Sequence, residues 1–366
     1  MKKIIQQAFF QLRNQPLLSV ITVLGTALAI ALIMVILIVY QAKTADYAPE
    51  VNRSRSLYVK WERTVYDKKD PNSAGHSRPS LWLVKEIFYP LTTPEAVTAT
   101  YEGGEVLVGT VGSDEEMNTP LMLTDAAFWK VYQFRFLAGK PFTEADFQSG
   151  MKQAVIAKSV ARRLFGGAEN AIGKDILVNF AAYTVCGVVD DVNRFCEFTW
   201  SEVYAPYTSN AIASEAEAGQ TSGNNVITIL ARSTDDFDAI RNEVARGVAQ
   251  INTTLGDMEL QLMGQPDNFR MQLNRKFANQ YENLNANFWK YGIMILIILL
   301  VPAINLSGLT NTRMRRRLEE LGIRKAFGAT RNELVWQVLN ENLVLTVMGG
   351  LLGLSLIHIS EPTRPY

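Results

Sequence analysis

Three groups of residues in this 366-residue chain have types and spacings that could do chemistry. The first, Gly166-Gly167-Ala168-Glu169-Asn170-Ala171-Ile172-Gly173-Lys174-Asp175, approaches the glycine-rich loop that cradles nucleotide phosphates. That loop needs a glycine where Ala168 stands and a Ser or Thr hydroxyl where Asp175 stands. Both are lacking, so nucleotide binding is not assigned. The second group is His76, His358, Cys186 and Cys196, too few and too scattered for a zinc cluster at the usual ligand spacing. No Gly-x-Ser-x-Gly turn presents a serine to His76. The third is the adjacent carboxylates Glu115/Glu116, Asp190/Asp191 and Asp235/Asp236, which read as loop, strand-end and helix-cap charges. No catalytic, cofactor-binding or metal-ligating residue is assigned, and the chain is expected to be a non-catalytic subunit.

A different kind of chemistry, docking, is suggested by the basic run from Arg313 to Arg331. From Arg313 to the apolar block that follows it, seven Lys/Arg stand against three Glu. Ile323 and Phe327 lie four apart and share a helical face, Gly322 and Gly328 bracket them, and Glu320 is spaced to pair with Arg324. Leu321 and Phe327 would be apolar anchors in a groove, with Arg324 and Lys325 projecting toward headgroups or an acidic partner. The plainer alternative is a loop whose arginines only set membrane topology.

That alternative matters because the chain is built around uncharged blocks. None of Asp, Glu, Lys or Arg occurs from Asn14 to Ala42, and Leu17–Tyr40 matches the roughly 20 residues of a bilayer-spanning helix. A second block follows Lys290, and a third holds Leu343 to Leu354. A cleavable signal peptide is the competing reading of the first block, but its uncharged run exceeds the usual apolar region of about 7–15 residues. Short loops rich in Lys and Arg stay inside the cell, which places the basic run in the cytoplasm and the roughly 250 residues between the first two blocks outside it. The chain carries 36 basic and 36 acidic residues, so net charge makes no case for nucleic-acid binding. Cys186 lies in a strand-like segment and is expected to be a free small hydrophobe, although an oxidising compartment permits a disulfide with Cys196.

The positioning elements are legible to different degrees. A strand is predicted from Leu57 to Arg63, a Pro/Gly/Ser-rich loop from Asp70 to Ser80, and strands at Ala96–Tyr101 and Val106–Val111. Phe237, Ile240, Val244, Val248 and Ile251 predict a helix opening at Ser233 or Thr234, flanked by strands at Val226–Leu230 and Met258–Met263. Phe269, Leu273, Phe277, Tyr281, Leu284 and Phe288 form a helical stripe leading into the second span, as a stalk continuous to Leu309. Gly25 and Ala29 in the first span and Gly349 and Gly353 in the third have the small-xxx-small spacing that allows close helix packing.

The run Glu320-Leu321-Gly322-Ile323-Arg324-Lys325, followed by Phe327 and Gly328-Ala329-Thr330, resembles the signature of MacB/FtsX-type ABC transporter permeases. Phe136-Leu137-Ala138-Gly139, Leu164-Phe165-Gly166, Ile172-Gly173-Lys174 and Val185-Cys186-Gly187-Val188-Val189 resemble, in that order, the inserted β-rich lobe of the family's periplasmic core domain. The resemblance implies an α-helical transmembrane bundle with a large extracytoplasmic α+β domain, in the bacterial inner membrane. It implies the following organisation: an amphipathic lead-in helix at 1–16, a first span at 17–40, a core domain at 43–285 with its lobe at about 125–207, a stalk and second span at 269–309 (the span itself at 288–309), a coupling loop at 311–333 and a third span at 335–354. Family members have four spans; here the fourth is missing, and residues 355–366 are expected to be a non-native tail. The implied partners are an ABC ATP-binding subunit, a second permease copy or paralogue, a periplasmic adaptor or substrate protein, and membrane lipid. The implied function is mechanotransmission: a separate ATPase moves the external domain to drive efflux, lipoprotein release or control of a cell-wall hydrolase. A membrane-anchored sensor is the competing reading, but it would place a large cytoplasmic domain where hydrophobicity resumes at Leu343.

Overall fold

A computed structural model describes residues 16–110, 112, 116–278, 289, 292–300 and 318–360. The lead-in helix expected at 1–16 lies almost wholly outside them. The chain divides into a helical unit, Met1–Ala42 with Asn283–Tyr366, and a sheet unit, Lys43–Glu282.

In the helical unit, α1 runs Pro16–Thr44, with proline at a helix start where its missing N–H costs nothing. From Val20 to Tyr40 its exposed side chains are apolar, among them Leu24, Leu28, Leu32, Val35 and Tyr40, as expected where lipid rather than water is the solvent. It is the one helix among the described residues that is long and apolar enough to cross a membrane. A second described helix continues from Arg331 to Ser360, six residues past Leu354. Leu356, Ile357 and Ile359 extend the apolar run, and the first proline after it is Pro362.

The sheet unit holds two sheets. The larger has the order β14-β1-β12-β4-β5-β10-β7-β9-β6, with β8 pairing both β4 and β9. Its strands are β1 (Ser56–Val59), β4 (Ala96–Thr110), β5 (Glu116–Thr124), β6 (Phe136–Gly139), β7 (Gln153–Ala157), β8 (Asp175–Val178), β9 (Ala181–Val189), β10 (Val203–Pro206), β12 (Asn225–Leu230) and β14 (Asp267–Asn268). Because β8 bonds to both β4 and β9, the pairings β4-β5-β10-β7-β9-β8 close into a ring. The ring forms because β4 is one long bent strand, where two separate strands were expected. Its first half pairs with β12 and its last residues, Val108–Thr110, pair with β8. Between the halves a bulge at Glu102/Gly104 kinks the strand, and Gly104 sits at φ +72°, open to glycine without strain. The closed ring thus takes in β5 and the outer half of β4, both before Asp125.

The smaller sheet has the order β11-β3-β2-β13, from β2 (Glu62–Asp67), β3 (Asp70–Pro79), β11 (Ser222–Gly223) and β13 (Glu259–Gln261). β3 occupies the segment expected to be a loop. Its composition is poor for a strand, but pairing on both flanks outweighs propensity, and Gly75 makes room for the Tyr66 ring, whose hydroxyl a Cβ would meet at 2.1 Å. The segment expected as one strand from Leu57 is split at Lys60-Trp61 between the two sheets.

The helix predicted from Ser233 forms as a 3₁₀ turn, Thr234–Asp236, leading into Phe237–Asn252. Ser233 and Asp236 build the capping box, and Ile240, Val244 and Ile251 are buried. Its flanking strands, β12 and β13, fall in different sheets, so it bridges the sheets and does not complete a unit within one. Asp125, at the end of β5, accepts hydrogen bonds from Thr98 Oγ1 (2.6 Å), Ala99 N (2.9 Å), Tyr89 Oη (2.7 Å) and Phe128 N (3.0 Å). It ties β4 to the aromatic core around Phe128, where Trp129, Tyr132, Phe134 and Tyr204 pack ring to ring.

Candidate coupling elbow and the roots of the sheet unit

The basic segment contains a helix, Leu318–Ala326, and the long helix from Arg331 follows after four residues. The break between them is built by local capping. Ala329 N donates to Arg324 O (3.0 Å) and Gly328 N to Lys325 O (3.1 Å), a Schellman motif with Gly328 at φ +94°. Thr330 then caps the next helix: Glu333 N donates to Thr330 Oγ1 (3.4 Å), while Thr330 N and Oγ1 donate to Glu333 Oε2 (2.8 and 2.9 Å). Those two donors hold the Glu333 carboxyl below its ordinary range. Gly328 and Thr330 in the family-like signature are thus helix punctuation. The Thr-x-x-Glu box was visible in the sequence and was missed.

The elbow's caps are local, and its apolar side chains are exposed. Phe327 is 89% exposed and Ile323 59%, on the shared face that their spacing predicts. Lys325 is exposed and Arg324 half-buried. Gly322 lies inside the helix, and a Cβ there would meet nothing within 4 Å. Its glycine is not required by this chain's own packing. Glu320 and Leu321 are helical, but their side-chain surroundings lie outside the described residues.

The small-residue pattern in the helical unit is only partly used. A Cβ on Gly349 would meet Thr26 Oγ1 at 1.9 Å and Val23 O at 2.9 Å, so this glycine does admit α1 closely. Gly25, by contrast, has nothing within 4 Å of an added Cβ. The packed stripe on α1 is Val23, Thr26 and Ala27, with Ala29 also buried, so the contact is rotated away from Gly25. The surroundings of Gly353 lie outside the described residues.

Elsewhere the candidate groups take structural roles. Asp191 Oδ1 accepts from Ser159 N (2.9 Å) at the start of the helix Lys158–Phe165, and Asp190 faces Lys158 at 3.5 Å. That helix ends on Gly166 at φ +76°, so the first glycine of the phosphate-loop look-alike is a helix stop. Cys186 and Cys196 are free, and burial pushes their thiols up to about 12 and about 11. No cluster of metal-ligating residues occurs among the described residues.

Two buried ion pairs, unforeseen from the sequence, sit where the chain enters and leaves the sheet unit. After α1, the chain reaches a 3₁₀ turn, Arg53–Arg55, and then β1. Arg53 and Glu50 are each 1% exposed and joined by Arg53 Nε to Glu50 Oε2 at 2.7 Å. Arg53 Nη1 also donates to Ala45 O (2.7 Å) and Lys43 O (3.4 Å), and Nη2 to Phe195 O (3.1 Å). Glu50 Oε1 accepts from Phe198 N (3.0 Å) and Thr199 Oγ1 (2.9 Å). Burial lifts its carboxyl above the ordinary range, against the pull of Arg53 and these donors.

At the exit, β14 is followed by a one-and-a-half-turn helix, Phe269–Asn274, which stops at Arg275. The stalk expected as one continuous helix from 269 to 309 is therefore interrupted. Arg275 adopts an extended backbone (ψ 108°), and its guanidinium turns back onto Asp267 through both carboxylate oxygens, with Nη2 to Oδ1 at 2.8 Å. Nη1 donates to Ala278 O (3.3 Å). The apolar stripe continued across this point, so periodicity alone could not show the break. The partners lie eight residues apart, too far for any local pairing rule.

Among curated relatives, the chain is 23% identical over 343 residues to the uncharacterized ABC transporter permease YknZ of Bacillus subtilis (strain 168), covering 92% of this chain and 81% of that one. It is 26% identical over 356 residues to the macrolide export ATP-binding/permease protein MacB of Wolinella succinogenes, covering 95% of this chain and 51% of that protein, so it spans about half that relative's length. A solved domain of a permease protein from Porphyromonas gingivalis is similar at TM-score 0.46 and 16% identity, covering 59% of this chain and 92% of that one. The sequence model of the MacB-like periplasmic core domain matches residues 19–246, and that of the FtsX-like permease C-terminal region matches 292–363. With well over half its length matched, the chain belongs to the MacB/FtsX family of ABC transporter permeases.

Proposed function

We propose that this permease transmits force from a separate ATP-binding subunit to its sheet unit. In this reading α1 and the later apolar segments form a transmembrane bundle in the inner membrane, the sheet unit lies outside the cytoplasm, and the elbow docks inside on the ATPase. Two copies or paralogues would pair around two ATPases, with a periplasmic adaptor or substrate protein outside. The elbow carries the reading. Its caps are built from its own residues, yet a phenylalanine is left 89% exposed beside an isoleucine and a glycine with open space around it. An apolar anchor on a rigid helix end, flanked by Arg324 and Lys325, suits a groove with an acidic rim.

The test is coexpression of the full-length permease with its ATP-binding subunit. Replacing Phe327 by Asp should lower copurification and permease-dependent ATPase stimulation at least tenfold. Unchanged complex formation and stimulation would overturn the proposal.

A further inference from the structure

Both chain segments that leave the sheet unit do so from neighbouring strands. β1, just after the entrance, pairs antiparallel with β14, just before the exit, with Leu57 opposite Asn268 and Tyr58 opposite Asp267. Each segment is held by a fully buried arginine–carboxylate pair whose spare guanidinium donors grip main-chain carbonyls on the outward side: Lys43 and Ala45 at the entrance, Ala278 at the exit. The entrance grip lies against an aromatic ring, Phe269, at the start of the exit helix two residues after Asp267. Arg53 Cζ lies 4.9 Å from the Phe269 ring centroid, and Phe269 also packs against Tyr58 (5.7 Å) and Phe198 (6.4 Å). Arg53 further ties this cluster to the ring-closed lobe's return segment through Phe195 O, and Glu50 does so through Phe198 and Thr199.

Stability alone does not account for this arrangement. Removing two charges from water costs so much that apolar residues of similar volume usually serve a core as well or better. What an apolar pair cannot do is hold a carbonyl in a fixed direction. A guanidinium can, because its donors are set in a rigid planar fork.

We propose that Glu50–Arg53 and Asp267–Arg275, linked by the β1–β14 pairing and by the contact of Arg53 with Phe269, form a single joint that obliges both outgoing segments to move with the ten-stranded sheet, making these four residues positioning residues for coupling. The inference rests on the force-transmission reading above. It predicts that an ammonium, which keeps the charge but loses the fork, leaves the unit folded and the joint slack.

The experiment uses the full permease with its ATPase in lipid nanodiscs. A fluorophore is placed on Lys69→Cys, an exposed position at the β2–β3 turn, with acceptor dye on the lipid headgroups. ATP should change energy transfer in the parent chain. In the R53K/R275K chain the change should be at least fourfold smaller, with ATPase binding intact and the unfolding temperature within a few degrees. A full-sized change in that variant would overturn the joint. If the double variant does not fold, R53K and R275K are read singly, each expected to lose about half the change; neither losing any would overturn it equally. No ATP response in the parent would instead overturn the coupling reading itself, so the two failures are distinguishable.

Discussion

The elbow and the roots solve opposite problems with similar residues. Both use arginine, glutamate and phenylalanine near a helix end. At the elbow, Thr330, Glu333 and Gly328 satisfy the backbone over a handful of residues, and Phe327 is left in the open. At the roots, Arg53 reaches Phe195, 142 residues away, and both ion pairs are buried. Under the force-transmission proposal the contrast has a reason: a docking surface closed locally keeps its side chains free, and a joint closed over long range commits them.

That contrast predicts unequal mutational costs. The largest belongs to the roots: Arg275→Ala strands the fully buried Asp267 carboxylate and should lower the unfolding free energy of the solubilised chain by about 3–5 kcal/mol, followed by tryptophan fluorescence in denaturant. A loss below about 1 kcal/mol would mean that the pair is not buried in solution.

Asp125 supplies the next step, a buried carboxylate whose four donors include no cation. Burial raises it from 3.8 to about 6, against its hydrogen bonds. The folded state therefore holds a proton that the unfolded chain releases near pH 4, and the stability contributed is present below that pH and lost as pH rises through about 6. Relative to Asp125→Asn, wild-type stability should fall between pH 4 and pH 7 by on the order of 1–3 kcal/mol. A difference that is flat with pH would contradict this.

At the elbow the effects should be smaller. Thr330→Ala removes an N-cap and should raise amide exchange at the start of the following helix by an amount equivalent to about 1 kcal/mol, without touching the sheet unit. Phe327→Asp, for all its expected effect on docking, should change the permease's own unfolding free energy by less than about 0.5 kcal/mol, because an 89% exposed ring has little packing to lose. A larger loss would show that Phe327 is a packing residue and would blur the contrast.

The elements that could be read directly from the residues were those whose signal is short in sequence. Ser233 with Asp236, the apolar repeat from Phe237 to Ile251, and the uncharged stretch in α1 each announce themselves within a turn or two. The shared face of Ile323 and Phe327 followed from spacing alone. The errors came where a local pattern was outweighed from a distance. Asp70–Pro79 has the composition of a loop and is a strand because β2 and β11 flank it. The stripe from Phe269 continues in register, yet the helix ends at Arg275 because a buried carboxylate claims the guanidinium. Gly25 has the right spacing for packing, but α1 presents Val23 and Thr26 to Gly349 instead.

Residue types within a few positions of one another were enough to specify the apolar membrane-length segment, the capped helices and the shared face of Ile323 and Phe327, since those depend on intervals of three or four residues and on solvent preference. Tertiary structure alone decided that β8 would close a ring across a bent β4, that the two ends of the sheet unit would leave from adjacent strands, and that the pairs Glu50–Arg53 and Asp267–Arg275 would each be buried. Such pairings join residues far apart in the chain. Their free energy is shared over many contacts, and no short window of sequence contains it.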